Sequence, residues 1–280
     1  MAADEPSTGQ ELRSLVTAEG TLELRLVDVP IPEPGAGEVV IRVEAAPINP
    51  SDLGLLLAGA DLTTAQISGS PDSPVLVATI PAATMTALTG RVATPLPVGN
   101  EGAGTVVATG SSAAAQALLG RTVSVAAGAM YSQYRSVTAD QCLVLPEGTS
   151  AEAGASAFVN PLTALGMVET MRREGHHALV HTAAASNVGQ MLTKLCLDED
   201  VPLVNIVRKP EQEELLRSIG AVHVLNSTSP SFMAGLIDAL TQTSATLAFD
   251  AIGGGKIAGQ LLTGMEMAAS AKPGQYSRYG

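Results

Sequence analysis

The chain has 280 residues, 46% of them apolar, no Trp, and a formal net charge of −12 at pH 7. The length allows two domains, the core must be built from Ala, Val, Leu and Ile, and the acidic balance argues against nucleic acid, which needs a basic stripe. Cys142 and Cys196 form neither a disulfide framework nor a CxxC metal site, the start MAADEPSTGQELRS lacks a secretory leader, and no long apolar run suggests a membrane span, so the expectation is a soluble cytoplasmic protein.

In chain order, residues 1–150 read as β-rich. LELRLVDVP, GEVVIRVEAA, PVGNEGAGTVVATG and GRTVSVAAG are short alternating or β-branched runs bounded by Pro and Gly. Next comes a helical stretch, SAEAGASAFVNPLTALGMVETMRREG, in which Ser150 can cap, Glu152 suits the first turn, and Pro161 predicts a kink or two helices. Residues 151–280 then alternate strand and helix. HALVHTAA leads to NVGQMLTKLCLDED, PLVNIVRK to PEQEELLRSIG, AVHVL to SPSFMAGLIDALTQT, and ATLAFDAIGG to GKIAGQLLTGMEMAA. Four such units predict an α/β fold whose doubly wound parallel sheet is covered on both faces.

The first of these corners, HTAAASNVGQM (181–191), stands where a dinucleotide-binding protein carries G-x-G-x-x-G. Laid on that pattern it reads Ala184-x-Ser186-x-x-Gly189: two small residues replace glycines, and the third glycine, which lets helix and strand touch, is present. Ser186 can donate to a phosphate oxygen, and the N–H groups that open the following helix, through Asn187, Val188 and Gly189, suit an anion. The second strand ends in Arg208-Lys209, nineteen residues past Gly189, with no acid before Glu211. A guanidinium forks onto a phosphate where a carboxylate would repel it, so position and sign favour NADPH over NADH. The alternative is that Arg208 and Lys209 are solvated charges ahead of a helix.

Several segments together resemble the medium-chain dehydrogenase/reductase superfamily, in its zinc-independent quinone reductase and enoyl reductase branches. They are AAPINPSDLGLLLAG (45–59), PVGNEGAGTVVATGS (97–111), FVNPLTALGMV (158–168), HTAAASNVGQM, VNIVRK (204–209), LRSIGAVHVL (216–225) and FDAIGGGK (249–256). The resemblance implies an N-terminal GroES-like β-barrel domain (1–150) for substrate and catalysis, a Rossmann NADP-binding domain (151–280), and a cleft between them. It implies no zinc, since Asn49 and Asn100 stand where zinc-dependent members carry Cys and His, and Asn is a poor zinc ligand. His176, His177, His181 and His223 read as surface or strand-end residues.

By the same resemblance Asn49 faces the nicotinamide end, Asn160 and Thr163 line the cofactor groove, and Tyr131 with Tyr134 matches a quinone-reductase motif. The alternative for each is a locally satisfied polar or packing residue. GNEGAG runs into a strand and reads as a turn at the cleft, not a phosphate loop. Mitochondrial-type enoyl reductases place a proton-donating Tyr after the first segment. Here Asp61 or a neighbour stands in its place, which leaves Tyr131 or solvent as donor and weakens the enoyl-thioester reading.

Residues 60–98 read as an insertion, either a binding loop that sets selectivity or a surface excursion. The chain ends at GQYSRYG, before the C-terminal segments that in the family help hold cofactor and often make a homodimer. The expected activity is hydride transfer from NADPH to a quinone or an activated α,β-unsaturated carbonyl. The alternatives are an enoyl-thioester reductase and a non-catalytic NADPH-binding relative.

Overall fold

The computed structural model describes residues 7–271; the first residues of the expected leaderless start and the terminal GQYSRYG lie outside the described residues. The chain divides into two compact units, Met1–Val159 and Asn160–Gly280, so that residues 151–159 pack with the first.

In the first unit the alternating runs pair as strands: β1 (Thr8–Val16), β2 (Thr21–Pro30), β3 (Glu38–Ala45), β4 (Asp61–Ser70), β5 (Ser73–Thr79), β6 (Leu96–Pro97), β7 (Gly102–Thr109), β8 (Thr122–Val125), β9 (Tyr134–Thr138) and β10 (Leu143–Val144). Short helices α1 (Pro50–Leu57), α2 (Ala82–Met85), α3 (Ala113–Gln116) and α4 (Ala151–Gly154) connect them. Two antiparallel sheets result, ordered β4-β5-β2-β1-β6 and β10-β8-β7-β3-β9. Period-two alternation sends Val39 and Ile41 to one side of β3, where they meet Val106, Val123, Val125, Met130 and Val137 in a closed apolar cluster. Gly99 of GNEGAG, at φ +96, makes a turn, while the two glycines in β7 serve strand packing: a Cβ on Gly104 would overlap the Arg42 carbonyl where β3 and β7 shift register.

The segment 60–98, expected as a loop, is mostly built structure. β4 and β5 form a hairpin about Pro71-Asp72, and β5 pairs with β2 to widen the first sheet. The alternation in PVLVAT and the turn chemistry of SPDS account for this. All ten residues of β4 are exposed. After α2 a 3-10 turn, Thr86–Arg91, returns the chain to β1, where Ala93 N donates to Val16 O at 2.9 Å.

The second unit alternates as its sequence predicts: α5 (Val159–Arg173), β11 (Leu179–His181), α6 (Asn187–Asp198), β12 (Leu203–Val207), α7 (Pro210–Ser218), β13 (His223–Asn226), α8 (Phe232–Thr243), β14 (Leu247–Phe249) and α9 (Ile257–Ser270). The helical stretch does divide into two helices, α4 and α5, but the break falls at residues 155–158 and not at Pro161, which sits in α5's first turn, where a missing N–H costs nothing. The sheet is parallel throughout, ordered β13-β12-β11-β14. Val180, Val204 and Ile206 pack against α8 and α9 on one face, while Leu179 and Leu203 meet residues of α5 and α6 on the other. Both faces are covered, as a parallel sheet requires.

Candidate functional site

At the carboxyl end of β11 the chain turns through Ala183, held at φ +50, and Ala184, which is fully buried. Ala184 N donates to Ile206 O at 3.1 Å, tying the turn to β12 two residues before Arg208. Ser186 is the N-cap of α6, its Oγ accepting from Gly189 N at 3.3 Å. A Cβ on Gly189 would overlap the Ala184 carbonyl, so this glycine is what lets α6 start directly against the strand end. Ser186 and Asn187 are exposed and Val188 half-buried. Among the described residues no acceptor in the chain takes the Asn187 or Val188 N–H, which leaves these two helix-start donors for an anion.

Arg208 and Lys209 follow β12, both exposed. The Arg208 backbone is fixed by Gln212 Oε1, which accepts from its N–H at 3.0 Å, and no carboxylate pairs with its guanidinium among the described residues. Lys209 makes a loose, solvent-exposed pair with Glu211 at 3.8 Å. In α5, Asn160 is buried and Thr163 exposed, one turn apart on the same face.

Sequence reasoning passed over Asp250, at the end of β14. Its Oδ1 accepts from Thr182 Oγ1 at 2.8 Å and from Ile252 N at 3.0 Å, and Thr182 Oγ1 accepts from Ala251 N at 2.8 Å. Partial burial works against ionisation, but the Thr182 hydroxyl and the Ile252 and Gly253 amides outweigh it, so the carboxyl sits below the usual range. The result ties the turn after β11 to the glycine-rich segment after β14.

In the first unit Asn49 is the N-cap of α1 and is 4% exposed. Its Nδ2 donates to Glu101 Oε1 at 2.8 Å and its N–H to Asp52 Oδ2 at 2.7 Å. Asp52 Oδ1 accepts in turn from Asn100 N at 2.8 Å, and Asn100 Nδ2 donates to Ser51 Oγ at 3.0 Å. The other Glu101 oxygen, Oε2, accepts from the N–H groups of Phe158 and Val159, each at 2.9 Å. Glu101 and Asp52, 0% and 2% exposed, organise this cluster. The sequence carried one cue to each, a carboxylate among glycines and an acid in a helix's first turn.

Tyr131 Oη donates to Pro47 O at 2.9 Å. Burial first, then the nearby carboxylates of Asp52 and Glu101, push its pKa well above the ordinary tyrosine value. Its proton is thus committed to the loop that carries Asn49. Asp61 is fully exposed and kept ionised below its ordinary value by the Thr63 hydroxyl and N–H. Of the two readings for His181, strand-end and surface, the first holds: it ends β11 and is fully buried, and neither ring nitrogen has a hydrogen-bond partner among the described residues. Among the described residues no group of three or more His, Cys, Asp and Glu is placed to hold a metal, and no helix is long and apolar enough to cross a membrane.

Comparison with known proteins agrees with this architecture. Residues 35–188, more than half of the chain, match the model of the alcohol dehydrogenase GroES-like domain. The mitochondrial enoyl-[acyl-carrier-protein] reductase of Caenorhabditis elegans is 26% identical over 83% of this chain and 60% of its own length. Prostaglandin reductase-3 of Bos taurus is 27% identical over 71% of this chain and 45% of its own. The chain thus spans about half the length of these curated relatives. Among solved structures, a Mesorhizobium loti protein assigned as an NADPH:quinone reductase superposes with a TM-score of 0.67 at 28% identity, covering 94% of this chain and 72% of that one. The chain belongs to the alcohol dehydrogenase GroES-like family, in the zinc-independent quinone reductase and enoyl reductase branch of the medium-chain dehydrogenase/reductase superfamily.

Proposed function

We propose that this chain supplies the cofactor-binding and acceptor-side elements of an NADPH-dependent oxidoreductase that delivers hydride to a quinone or an activated α,β-unsaturated carbonyl. The observation that carries the reading is the turn at 183–189. A glycine-only contact brings the start of α6 against β11, two N–H groups without an acceptor among the described residues open that helix, and the same turn is bonded to β12, which Arg208 follows. A pyrophosphate fits the first feature and a ribose 2′-phosphate the second. In this reading Ala184, Ser186, Asn187, Val188 and Gly189 hold the pyrophosphate, Arg208 and Lys209 the 2′-phosphate, and Asn160 and Thr163 the nicotinamide half.

NADPH, when bound, supplies the hydride; the protein's residues bind, orient and exclude water. In the first unit Asn49 is the acceptor-side polar group. Glu101 accepts a hydrogen bond from its side-chain amide and Asp52 one from its backbone N–H, so the side chain keeps one orientation. Tyr131 serves by holding Pro47 rather than by releasing its proton. With Asp61 ionised and exposed, an internal acid for enoyl protonation is missing from that position, which favours a quinone, whose oxygens take protons from water.

The enoyl-thioester reading draws its support from the similarity to the Caenorhabditis elegans enoyl reductase. Calorimetric titration with NADPH and, separately, NADH tests the cofactor assignment: NADPH is expected to bind at least tenfold tighter, and equal affinities would overturn it. Acceptor-dependent NADPH oxidation with a panel of quinones, enones and enoyl thioesters then decides the substrate class. Binding without turnover on any of them would mark a non-catalytic relative.

A further inference from the structure

The 60–98 segment has no assigned purpose, yet one of its residues reaches back to α1. That helix has two turns and carries Asn49 and Asp52 at its start, with no basic residue in its own last turn. The last carbonyls of such a helix lack intrahelical partners and form the negative pole of its dipole. Arg91, the last residue of the 3-10 turn, supplies both needs. Its Nη2 donates to Leu55 O at 2.9 Å and to Ser14 Oγ at 3.1 Å, and its Nη1 lies 3.4 Å from Gly54 O. Ser14, fully buried on β1, in turn donates its hydroxyl hydrogen bond to Leu56 O at 2.9 Å.

No carboxylate pairs with Arg91 among the described residues, so the helix end is its counter-charge. The remaining carbonyl, Leu57 O, accepts from Ala60 N at 2.9 Å. Gly54 O also accepts from Ala58 N at 3.2 Å, so every carbonyl of the last turn is satisfied; Leu55 O takes its bond from Arg91, and the Ser14 hydroxyl that serves Leu56 O is itself bonded by Arg91. A helix of eight residues is about 12 Å long and moves as a rod. Displacing one end displaces the other, where the Asn49 amide meets Glu101.

We propose that Arg91 is a positioning residue for Asn49, and that the inserted segment serves to clamp the C-terminus of α1 so that the acceptor-side amide at its N-terminus is held in one place. The catalytic consequence rests on the function proposed above; the mechanical one does not. Arginine suits the task because one planar fork reaches two carbonyls and a hydroxyl, which a lysine ammonium at one point cannot do.

The test compares the wild-type chain with Arg91→Ala and Arg91→Lys by amide hydrogen exchange, dinucleotide titration and steady-state kinetics. In Arg91→Ala, exchange of the α1 amides is expected to rise at least tenfold. Affinity for NADPH should stay within twofold, because its proposed residues lie in the other unit. Turnover should fall ten- to hundredfold with little change in KM for NADPH, the scale of loss that follows a misplacement of about 1 Å. Millimolar guanidinium should restore part of that turnover in Arg91→Ala and none in Glu101→Ala, and Arg91→Lys should remain impaired. Unchanged exchange in α1, or faster exchange with full turnover, would overturn the proposal. If the wild type has no turnover, the functional reading fails and the exchange arm still decides whether Arg91 holds α1. Should Arg91→Ala not fold, Ser14→Ala keeps the guanidinium and removes the bridge. A smaller rise in the same amides then supports the clamp, and none refutes it.

Discussion

In the first unit Asn49, Asp52 and Glu101 are nearly inaccessible, and Glu101 reaches partners 52, 57 and 58 residues away along the chain. In the second unit Ser186, Asn187 and Arg208 are exposed, and the turn that presents them is shaped by backbone contacts at Gly189 and Ala184. One region fixes a side chain by enclosing it in hydrogen bonds; the other fixes a stretch of backbone and leaves its donors open. A closed network suits a group that must hold still beside a reacting molecule, and open donors suit a ligand that brings its own charge. Substitutions in the two regions should therefore separate stability from binding.

Gly189→Val should give the largest effect, because it strikes the backbone contact itself. The new side chain must displace the Ala184 carbonyl, so dinucleotide affinity should fall at least a hundredfold, with a stability loss of about 3 kcal/mol from the strained strand–helix contact. Calorimetry and denaturant unfolding measure the two separately. Retained affinity in a folded Gly189→Val protein would mean that the turn is not the pyrophosphate site.

Glu101→Ala comes next and should show the opposite profile. It strands the Asn49 amide and the Phe158 and Val159 N–H groups, at about 1–3 kcal/mol for each buried donor left unpaired. Unfolding midpoints should drop sharply while NADPH affinity in the surviving folded protein changes less than threefold. A loss of affinity as large as that of Gly189→Val would erase the distinction between the regions.

The two regions also differ in how much of them the sequence disclosed. The strand–helix alternation, the division of the helical stretch in two, the close contact at Gly189 and the place of Arg208 just after β12 are local signals, legible because period, turn chemistry and strand-end position are short-range properties. The network in the first unit is not local. Asn49 and Glu101 meet only because α1 and the approach to β7 are brought together by a sheet whose pairing links distant residues. Nothing near Glu101 in GNEGAG announces its partners. The 60–98 hairpin was hidden by its own prolines and glycines, although PVLVAT held a strand pattern, and Arg91 gave no local sign of capping a helix some 36 residues upstream. His181 read as a bland strand-end residue because a parallel sheet is buried on both faces, which a three-residue strand does not reveal.

Arg208→Glu sharpens the binding side alone. The residue is exposed and its side chain is unpaired with any described carboxylate, so stability should hold within about 0.5 kcal/mol. A carboxylate facing a 2′-phosphate should weaken NADPH about a hundredfold and leave NADH nearly unchanged, reversing the preference. An unaltered NADPH-to-NADH ratio would return Arg208 to the role of a solvated charge.

The smallest expected effect concerns His181, a ring the second unit buries with neither nitrogen hydrogen-bonded among the described residues. Burial pushes its pKa below the ordinary histidine value. Well above pH 6.5 the ring is neutral in both folded and unfolded chains and adds no pH dependence. Below that value the unfolded chain takes up a proton that the folded chain resists, so stability falls as pH falls, by at most about 1.4 kcal/mol per pH unit until the folded-state pKa is reached. His181→Leu replaces the ring with an apolar side chain on the face already occupied by Leu179 and Leu203. It should be neutral or stabilising by about 1 kcal/mol at pH 7, since two unpaired nitrogens leave the core. Its stability between pH 7 and pH 5 should also decline less steeply than that of the wild type. Urea unfolding at several pH values measures both. A variant less stable than wild type at pH 7, with the same acid slope, would mean that the ring contributes contacts its nitrogens do not show, and that the burial of His181 is useful packing rather than a tolerated cost.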